Sequence, residues 1–451
     1  MLKNLLIINT LALQVAVPAG ALAQSISAQP EQQNSQSSLS RYFDPRGGMS
    51  ADEAIAYALD HNGELLAARK AVESARALVR QASLRPNPQI EIQRKEQMAG
   101  ADNDTMVAAM LPLELGGRRS ARTLVAQREL EMKERLLADQ ERLLAAEVKT
   151  RFGQALGEIL RLGFTEDLLS TTDQGYRLVA ARVTEGRTAP LEQNMVLVEV
   201  NRIRSIRASA EGMVEVALLE LRNLIGMRPE EPLRLRGRLD QPVEPLPSVA
   251  VSIDVALRER PDLQAARARE ALAESRIAQA RSEGRIDASI TSKYEVMNFG
   301  FPQRAFNSAG QLVPIQGTFH SLAFGVTIDL PVRNRNQGAI EAAVAEKAAA
   351  TSRREFAELT VQKEVAAAFA RYRSAARAAE IYRVGVQGQA DANLEVVRQT
   401  YELGSKTLLD FIAEQRRFID VQTGYIESLV KTYEARVEIE RATASPNLIK
   451  R

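Results

Sequence analysis

Two runs of strict alternation, at either end of the stretch Ile286 to Leu330, limit the folds open to this chain more than any other feature. In the first, Ile286, Ala288, Ile290, Ser292, Tyr294 and Val296 fall on one side, and Asp287, Ser289, Thr291, Lys293 and Glu295 on the other. The second sets Leu322, Phe324, Val326, Ile328 and Leu330 against Ser321, Ala323, Gly325, Thr327 and Asp329. The polar, glycine-bearing stretch between them is expected to be a long loop. Each run has about the 9–11 residues that a tilted strand needs to cross the hydrocarbon of a bilayer. The same alternation also fits a half-buried hairpin lying on a soluble core, so the rest of the chain must decide.

The N-terminus points to export. Lys3 precedes an apolar run from Leu5 to Val17, and Ala21-Leu22-Ala23 offers the small residues of a cleavage site, which makes residues 1–23 a signal peptide. No later stretch offers 18 consecutive apolar residues, so an exported chain of this kind enters a membrane as strands. The 59 basic and 57 acidic residues nearly cancel and form no polybasic footprint, which argues against nucleic acid as a partner. Cysteine is absent, which excludes disulfides, thiolate metal ligands and an N-terminal lipid anchor on cysteine.

Residues 24–48, rich in Gln and Ser, are expected to form a flexible arm. Ser50-Ala51-Asp52-Glu53 has capping-box spacing and opens a helix that breaks at Asn62-Gly63. Arg85-Pro86-Asn87-Pro88 halts it, and residues 89–111 form a first hairpin turning near Ala99 to Asp104. From Pro112 to Pro190 no proline intervenes and the pattern is helical, long enough to reach about 90–100 Å. A tip near 182–190 reverses the chain into a returning helix, and a proline-rich connector, 229–251, follows.

The plan then repeats. Ala58-Leu59 matches Ala256-Leu257, Leu65 matches Leu263, Ala67-Ala68-Arg69 matches Ala265-Ala266-Arg267, and Ile92 matches Ile290, all at one offset. Leu111-Pro112 matches Leu330-Pro331 at an offset 21 residues larger, and Gly186 then matches Gly404 and Leu191-Glu192 matches Leu409-Asp410. A collinear set of matches with one insertion at a loop tip marks a duplication. The first repeat covers 49–228. The second covers 252–443, with its hairpin at 286–330 and its tip near 401–409, and 444–451 is a tail. Phe411, Phe418, Tyr425 and Ile439 recur at heptad intervals on the last helix, as helix-on-helix packing requires.

Two hairpins give four strands, and four strands cannot close a barrel in lipid without bare edges. Several copies must therefore share one wall; three would supply about twelve strands, and the long helices would continue the same cylinder. The expected fold is mostly α with a shared transmembrane β-barrel, a trimeric α/β barrel carrying a periplasmic helical extension. No Ser-His-Asp set, phosphate loop or metal-ligand cluster is present, so no enzyme activity, cofactor or metal site is expected. His61 and His320 are isolated, and Met106 and Met110 are more simply read as packing than as soft-metal ligands.

The stretches Leu111-Pro112-Leu113-Glu114-Leu115-Gly116-Gly117-Arg118-Arg119, Arg260-Pro261-Asp262-Leu263 and Tyr401-Glu402-Leu403-Gly404-Ser405-Lys406-Thr407-Leu408-Leu409-Asp410 resemble the TolC-like outer-membrane efflux channels. The first is similar to the cation-efflux (cobalt, zinc and cadmium, CzcC-type) branch. The resemblance implies a homotrimeric exit duct set in outer-membrane lipid, joined through a periplasmic adaptor (a membrane fusion protein) to an inner-membrane RND pump, with divalent heavy-metal cations as cargo. It assigns adaptor contacts to the tips, at Arg182 and Gly186 and at Gly404 and Leu409, with Thr400 where an arginine would match Arg182. It assigns the pore aperture to Asp410, with Glu414 beside the next expected ring position, Ala413. A drug-type or type I secretion duct of the same fold is the alternative. A periplasmic coiled-coil adaptor would spend more of its length on small β-domains, and an exported scaffold would need no apolar strand face.

Overall fold

The computed structural model describes residues 39–98, 100–240 and 245–445. The expected signal peptide, residues 24–38 of the expected arm, residues 241–244 of the connector and 446–451 of the tail lie outside them.

Residues 39–48 are packed rather than flexible. A single turn, α1 (Leu39–Tyr42), buries the Tyr42 ring, whose hydroxyl donates to Glu215 at 3.1 Å. Phe43 and Met49 both bridge to Leu235 of the connector. Two adjacent aromatics anchor the end of a segment whose Gln and Ser content suggested an arm. Helix α2 (Ala51–His61) starts from the Ser50 capping box, and α3 (Gly63–Ser83) follows at once. Asn62 makes the break: its side-chain oxygen accepts from the Leu65 amide at 3.0 Å, and its amide nitrogen donates to the Leu224 carbonyl at 2.8 Å.

Strands β1 (Gln89–Glu96), β2 (Asn103–Pro112), β3 (Asp287–Phe306) and β4 (Leu312–Asp329) form one antiparallel sheet in that order. The register sets Ile92 beside Val107, Val107 beside Tyr294, and Tyr294 beside Leu322, so these apolar side chains share a face. Lys95 stands beside Asp104, and Lys293 and Glu295 lie on that same opposite face. Among the described residues, the outer edges of β1 and β4 have no partner. One expectation fails here. The stretch after Val296 is no long loop; β3 runs 20 residues and β4 18, joined by a tight turn at 307–311. Alternation continues there, but its apolar side switches faces, so a pattern read with one face held apolar ends too soon.

Helix α4 (Arg118–Thr184) has 67 residues, about 100 Å of rise, and α5 (Pro190–Ile225) returns beside it. After the connector, α6 (Val249–Glu259) and α7 (Pro261–Glu283) repeat the opening pair, and α8 (Gln337–Ile381) leaves the sheet. A π turn, Tyr382–Val386, separates α8 from α9 (Gln387–Glu402), and α10 (Leu408–Thr443) closes the chain. Each repeat has its own core: Val148, Phe152, Leu162, Val214, Leu218 and Ile225 in the first, and Leu263, Val361, Val365, Phe369 and Ile439 in the second. Each such side chain contributes about 1.5–3 kcal/mol by leaving water.

Both repeats converge on the end of α10. Arg142 of α4 donates to the Arg441 carbonyl at 2.5 Å, and Arg260 donates to the Ala442 carbonyl at 3.3 Å, satisfying acceptors that a helix end leaves open. Arg260 is 3% exposed, yet it grips Asp262 through two nitrogens, at 3.0 and 2.6 Å, and reaches Glu364 at 2.7 Å. Burial pushes the Asp262 carboxyl up, but Arg260 and then Arg142 more than reverse this, leaving it below the usual carboxylate range. Arg260-Pro261-Asp262-Leu263 is thus a packing knot: arginine for two carboxylates and a helix end, proline for the first turn of α7, leucine for the core. Replacing Arg260 with Met should cost about 3 kcal/mol, because Asp262 and Glu364 lose the guanidinium they share. Arg258→Ala, on the surface, should stay within about 0.5 kcal/mol. Denaturant unfolding of the detergent-solubilised protein checks both, and equal effects would refute the knot.

Candidate functional site

The two tips are built alike. Gly186 has φ +71° and Gly404 φ +78°, a left-handed backbone that favours glycine, and a side chain at either would meet nothing. At the first tip the Gly186 amide donates to the Val183 carbonyl at 3.0 Å and the Arg187 amide to the Arg182 carbonyl at 2.9 Å. At the second, Gly404 donates to Tyr401 and Ser405 to Thr400, both at 2.9 Å. Arg182 and Thr400 therefore supply the same main-chain carbonyl, which any residue could supply. The exchange of arginine for threonine leaves the turn unchanged, and the turn makes no use of the Arg182 side chain.

The chain re-enters helix differently at the two tips. Pro190 occupies the first turn of α5, where its missing amide hydrogen costs nothing. At α10, Thr407 and Asp410 form a capping box: the Asp410 amide donates to the Thr407 hydroxyl oxygen at 3.2 Å, and the Asp410 carboxylate accepts from the Thr407 amide at 3.0 Å. The tips lie side by side, because Val179 of α4, Val196 and Val200 of α5, and Leu408 and Ile412 of α10 share one buried cluster. Tyr401 stacks on Phe411 at 6.0 Å and donates to Glu192 at 3.2 Å. Burial, then the Glu192 charge, pushes the Tyr401 phenol up, so it keeps its proton. Behind them Glu199, almost fully buried, is held by Arg202 at 2.5 Å and Arg416 at 3.2 Å, tying α5 to α10.

The two aperture candidates stand one turn apart on α10 with different surroundings. Glu414 is largely covered and pairs with Arg417 at 3.1 Å. Asp410 is exposed; the Thr407 amide first, its hydroxyl next and Lys406 last hold its carboxyl below the usual range. Asp410 is thus the acid left facing solvent, and it already serves the helix start. Leu409 is 63% exposed. Leu191, at the matching place on the first tip, is 67% exposed and Leu403 is 82% exposed. Residue-by-residue reading passed over these two leucines, although the repeat match of Leu191-Glu192 to Leu409-Asp410 pointed to the first.

Other candidates are explained by local contacts. His61 stacks on Tyr57 with Nδ1 2.9 Å from its carbonyl oxygen, and His320 Nδ1 lies 2.8 Å from the Tyr294 hydroxyl. Met106 pairs with Gln93 and Met110 with Gln89 on the polar face of the sheet. Among the described residues no group of three or more His, Cys, Asp or Glu side chains could hold a metal. The Leu111 to Arg119 stretch stitches the sheet to the helices. Arg118 pairs with Asp287 at 3.0 Å, Arg119 donates to the Ser83 carbonyl at 2.6 Å, and Arg122 just beyond binds Glu114 and the carbonyls of Ala82 and Leu84.

Comparison with known proteins agrees with this architecture. The family model described as outer membrane efflux protein matches residues 54–227 and 252–445, one segment for each repeat. The cobalt-zinc-cadmium resistance protein CzcC of Cupriavidus metallidurans is 23% identical over 396 residues, covering 88% of this chain and 90% of its own. Among solved structures, CusC superposes with a TM-score of 0.71 at 20% identity over 87% of this chain and 91% of that one. The outer-membrane channel OprN gives 0.69 at 18% identity over 89% and 94%. With a four-stranded sheet, long paired helices, and both repeats matched, this chain belongs to the outer membrane efflux protein family, the passive TolC-like channels of the outer membrane.

Proposed function

We propose that three copies of this chain close into one duct that carries small solutes out of the periplasm, receiving them from an inner-membrane RND pump through a periplasmic adaptor. The observation that supports it is the sheet, apolar on one face and charged on the other for about the height of a bilayer, with both edges unpaired. Unpaired backbone groups in hydrocarbon cost several kcal/mol each, so β1 of one copy pairs with β4 of the next. All four strands join their helices at one end, so the helices extend the bore into the periplasm and the hairpin turns face outward. The tips, with Arg182, Gly186, Gly404 and Leu409, then meet the adaptor, and Leu191 and Leu403 add apolar contact to that surface. Asp410 lines the aperture as a ring of three, with Glu414 behind it.

For cargo we favour the broad reading, in which dyes, detergents and other small organic solutes pass and selection occurs upstream. The stretch that resembles the cation branch is occupied in joining sheet to helices, and its contacts there explain its residues without reference to cargo. The heavy-metal reading rests on the name of one relative at 23% identity. Deleting the gene and comparing growth on zinc, cadmium, cobalt, nickel, copper, dyes and detergents separates them. Loss of tolerance to dyes and detergents is expected; sensitivity confined to the metals would return the cargo to cations.

The aperture has its own test. Thr407→Val removes the capping hydroxyl, costs about 1 kcal/mol at the start of α10, and lets the Asp410 carboxyl rise toward its ordinary value. A carboxylate with a raised pKa is neutralised earlier as pH falls. In planar bilayers the loss of cation preference on acidification should therefore set in at higher pH in the variant. An unchanged midpoint would remove Asp410 from the aperture.

A further inference from the structure

We propose that the outer halves of β3 and β4 form an apolar collar that narrows the external mouth of the duct, each copy's collar face closing on those of the other two across the three-fold axis. The inference rests on the trimeric reading above. Its basis is the switch of polarity along one continuous strand pair. From Asp287 to Glu295 one face carries Asp287, Thr291, Lys293 and Glu295, and the other carries Ile290, Tyr294, Val326 and Phe324. Past Val296 the assignment reverses. The face that held the charges now carries Met297, Phe299, Phe301, Ile315 and Phe319, while the formerly apolar face carries Asn298, Gly300, Gln316 and Thr318.

The register makes the reversal unambiguous, because Met297 is opposite Phe319, Phe301 is opposite Ile315, and pairing is continuous from Asp287 to Phe301. The rings of Phe301 and Phe319 meet edge to face at 6.0 Å over Gly317, where an added Cβ would come within 3.0 Å of the Phe319 ring. The lower block is about ten residues long, which accounts for the bilayer, so the upper block stands beyond the hydrocarbon. From Asn298 to Gly300 and from Gln316 to Thr318 its outward face is polar, as external water demands. Its inward face leaves Phe299 and Phe301 each 42% and Phe319 45% exposed in a single copy, directly above the wet cluster of Lys95, Asp104, Lys293 and Glu295.

Lipid cannot cover that face, because it continues the side that looks into the bore. A second copy of the same segment can, since the sheet carrying it is already shared between copies at its edges. The β1–β2 turn props the segment from the side: the Gly300 amide donates to Asp102 at 2.7 Å, and the Gln316 side chain to the Ala101 carbonyl at 3.3 Å. A constriction lined by such groups excludes water and hydrated ions while it is closed, and yields when solute is driven against it.

The absence of cysteine allows a direct test on the full chain in outer membranes. Phe301→Cys is expected to be linked between copies by a short bismaleimide, and Thr318→Cys, on the outward face, is not. In intact cells a bulky membrane-impermeant maleimide should reach Ala323→Cys, in the bore below the collar, about tenfold faster once Phe301 and Phe319 are both changed to Ser. Trimers in the outer membrane that show neither the Phe301→Cys link nor the change in rate would overturn the collar and leave the duct standing. Failure to find trimers there at all would overturn the duct and the collar together.

Discussion

The backbone groups along the outer edges of β1 and β4 decide what this molecule can be. Inside hydrocarbon there is no water to satisfy them, and each group left unpaired costs more than most side-chain contacts return. A chain that folds four strands with one apolar face and, among the described residues, leaves both edges bare has made a part rather than a whole. Duplication supplies four strands per copy where a single hairpin would carry the same two edges on half as many strands, and the paired long helices follow from the need to prolong the same wall beyond the membrane.

A few charged side chains sit at points of leverage. Arg260 and Arg142 bring the two repeats onto the last turn of α10, and Arg118, Arg119 and Arg122 close the joint between sheet and helices. Glu199 is held between Arg202 and Arg416 at the opposite end of α10. Helix α10 is therefore pinned at both ends, while the adjoining α9 has no buried residue and follows a π turn. The region around the tips gains its order from a small apolar cluster and the Tyr401–Glu192 contact, a modest set of interactions next to the cores of the two repeats.

Much of this was legible in the residues because local chemistry and global arrangement agree. Ser50 and Glu53 read as a capping box and form one, Asn62-Gly63 reads as a helix break and lies where α2 meets α3, and the repeat offsets locate both tips. What stayed hidden had a common cause: pattern reading assumes that a segment keeps one apolar side and one role. The reversal at Met297 breaks the first assumption, because it looks in the sequence like the end of a strand. Asp410 strained the second, since the same carboxylate that resembles a pore ligand also caps its helix. Arg260 looked like a family marker, and only its neighbours in space, Glu364 and Ala442, reveal a packing task.

Amide hydrogen exchange along β1 and β4 in the membrane-embedded protein tests the central claim most directly. If neighbouring copies complete the wall, the edge amides that point away from the sheet are protected as strongly as those between β2 and β3. Rapid exchange confined to those edge amides, with the rest of the sheet protected, would mean that each copy stands alone and that no shared barrel exists.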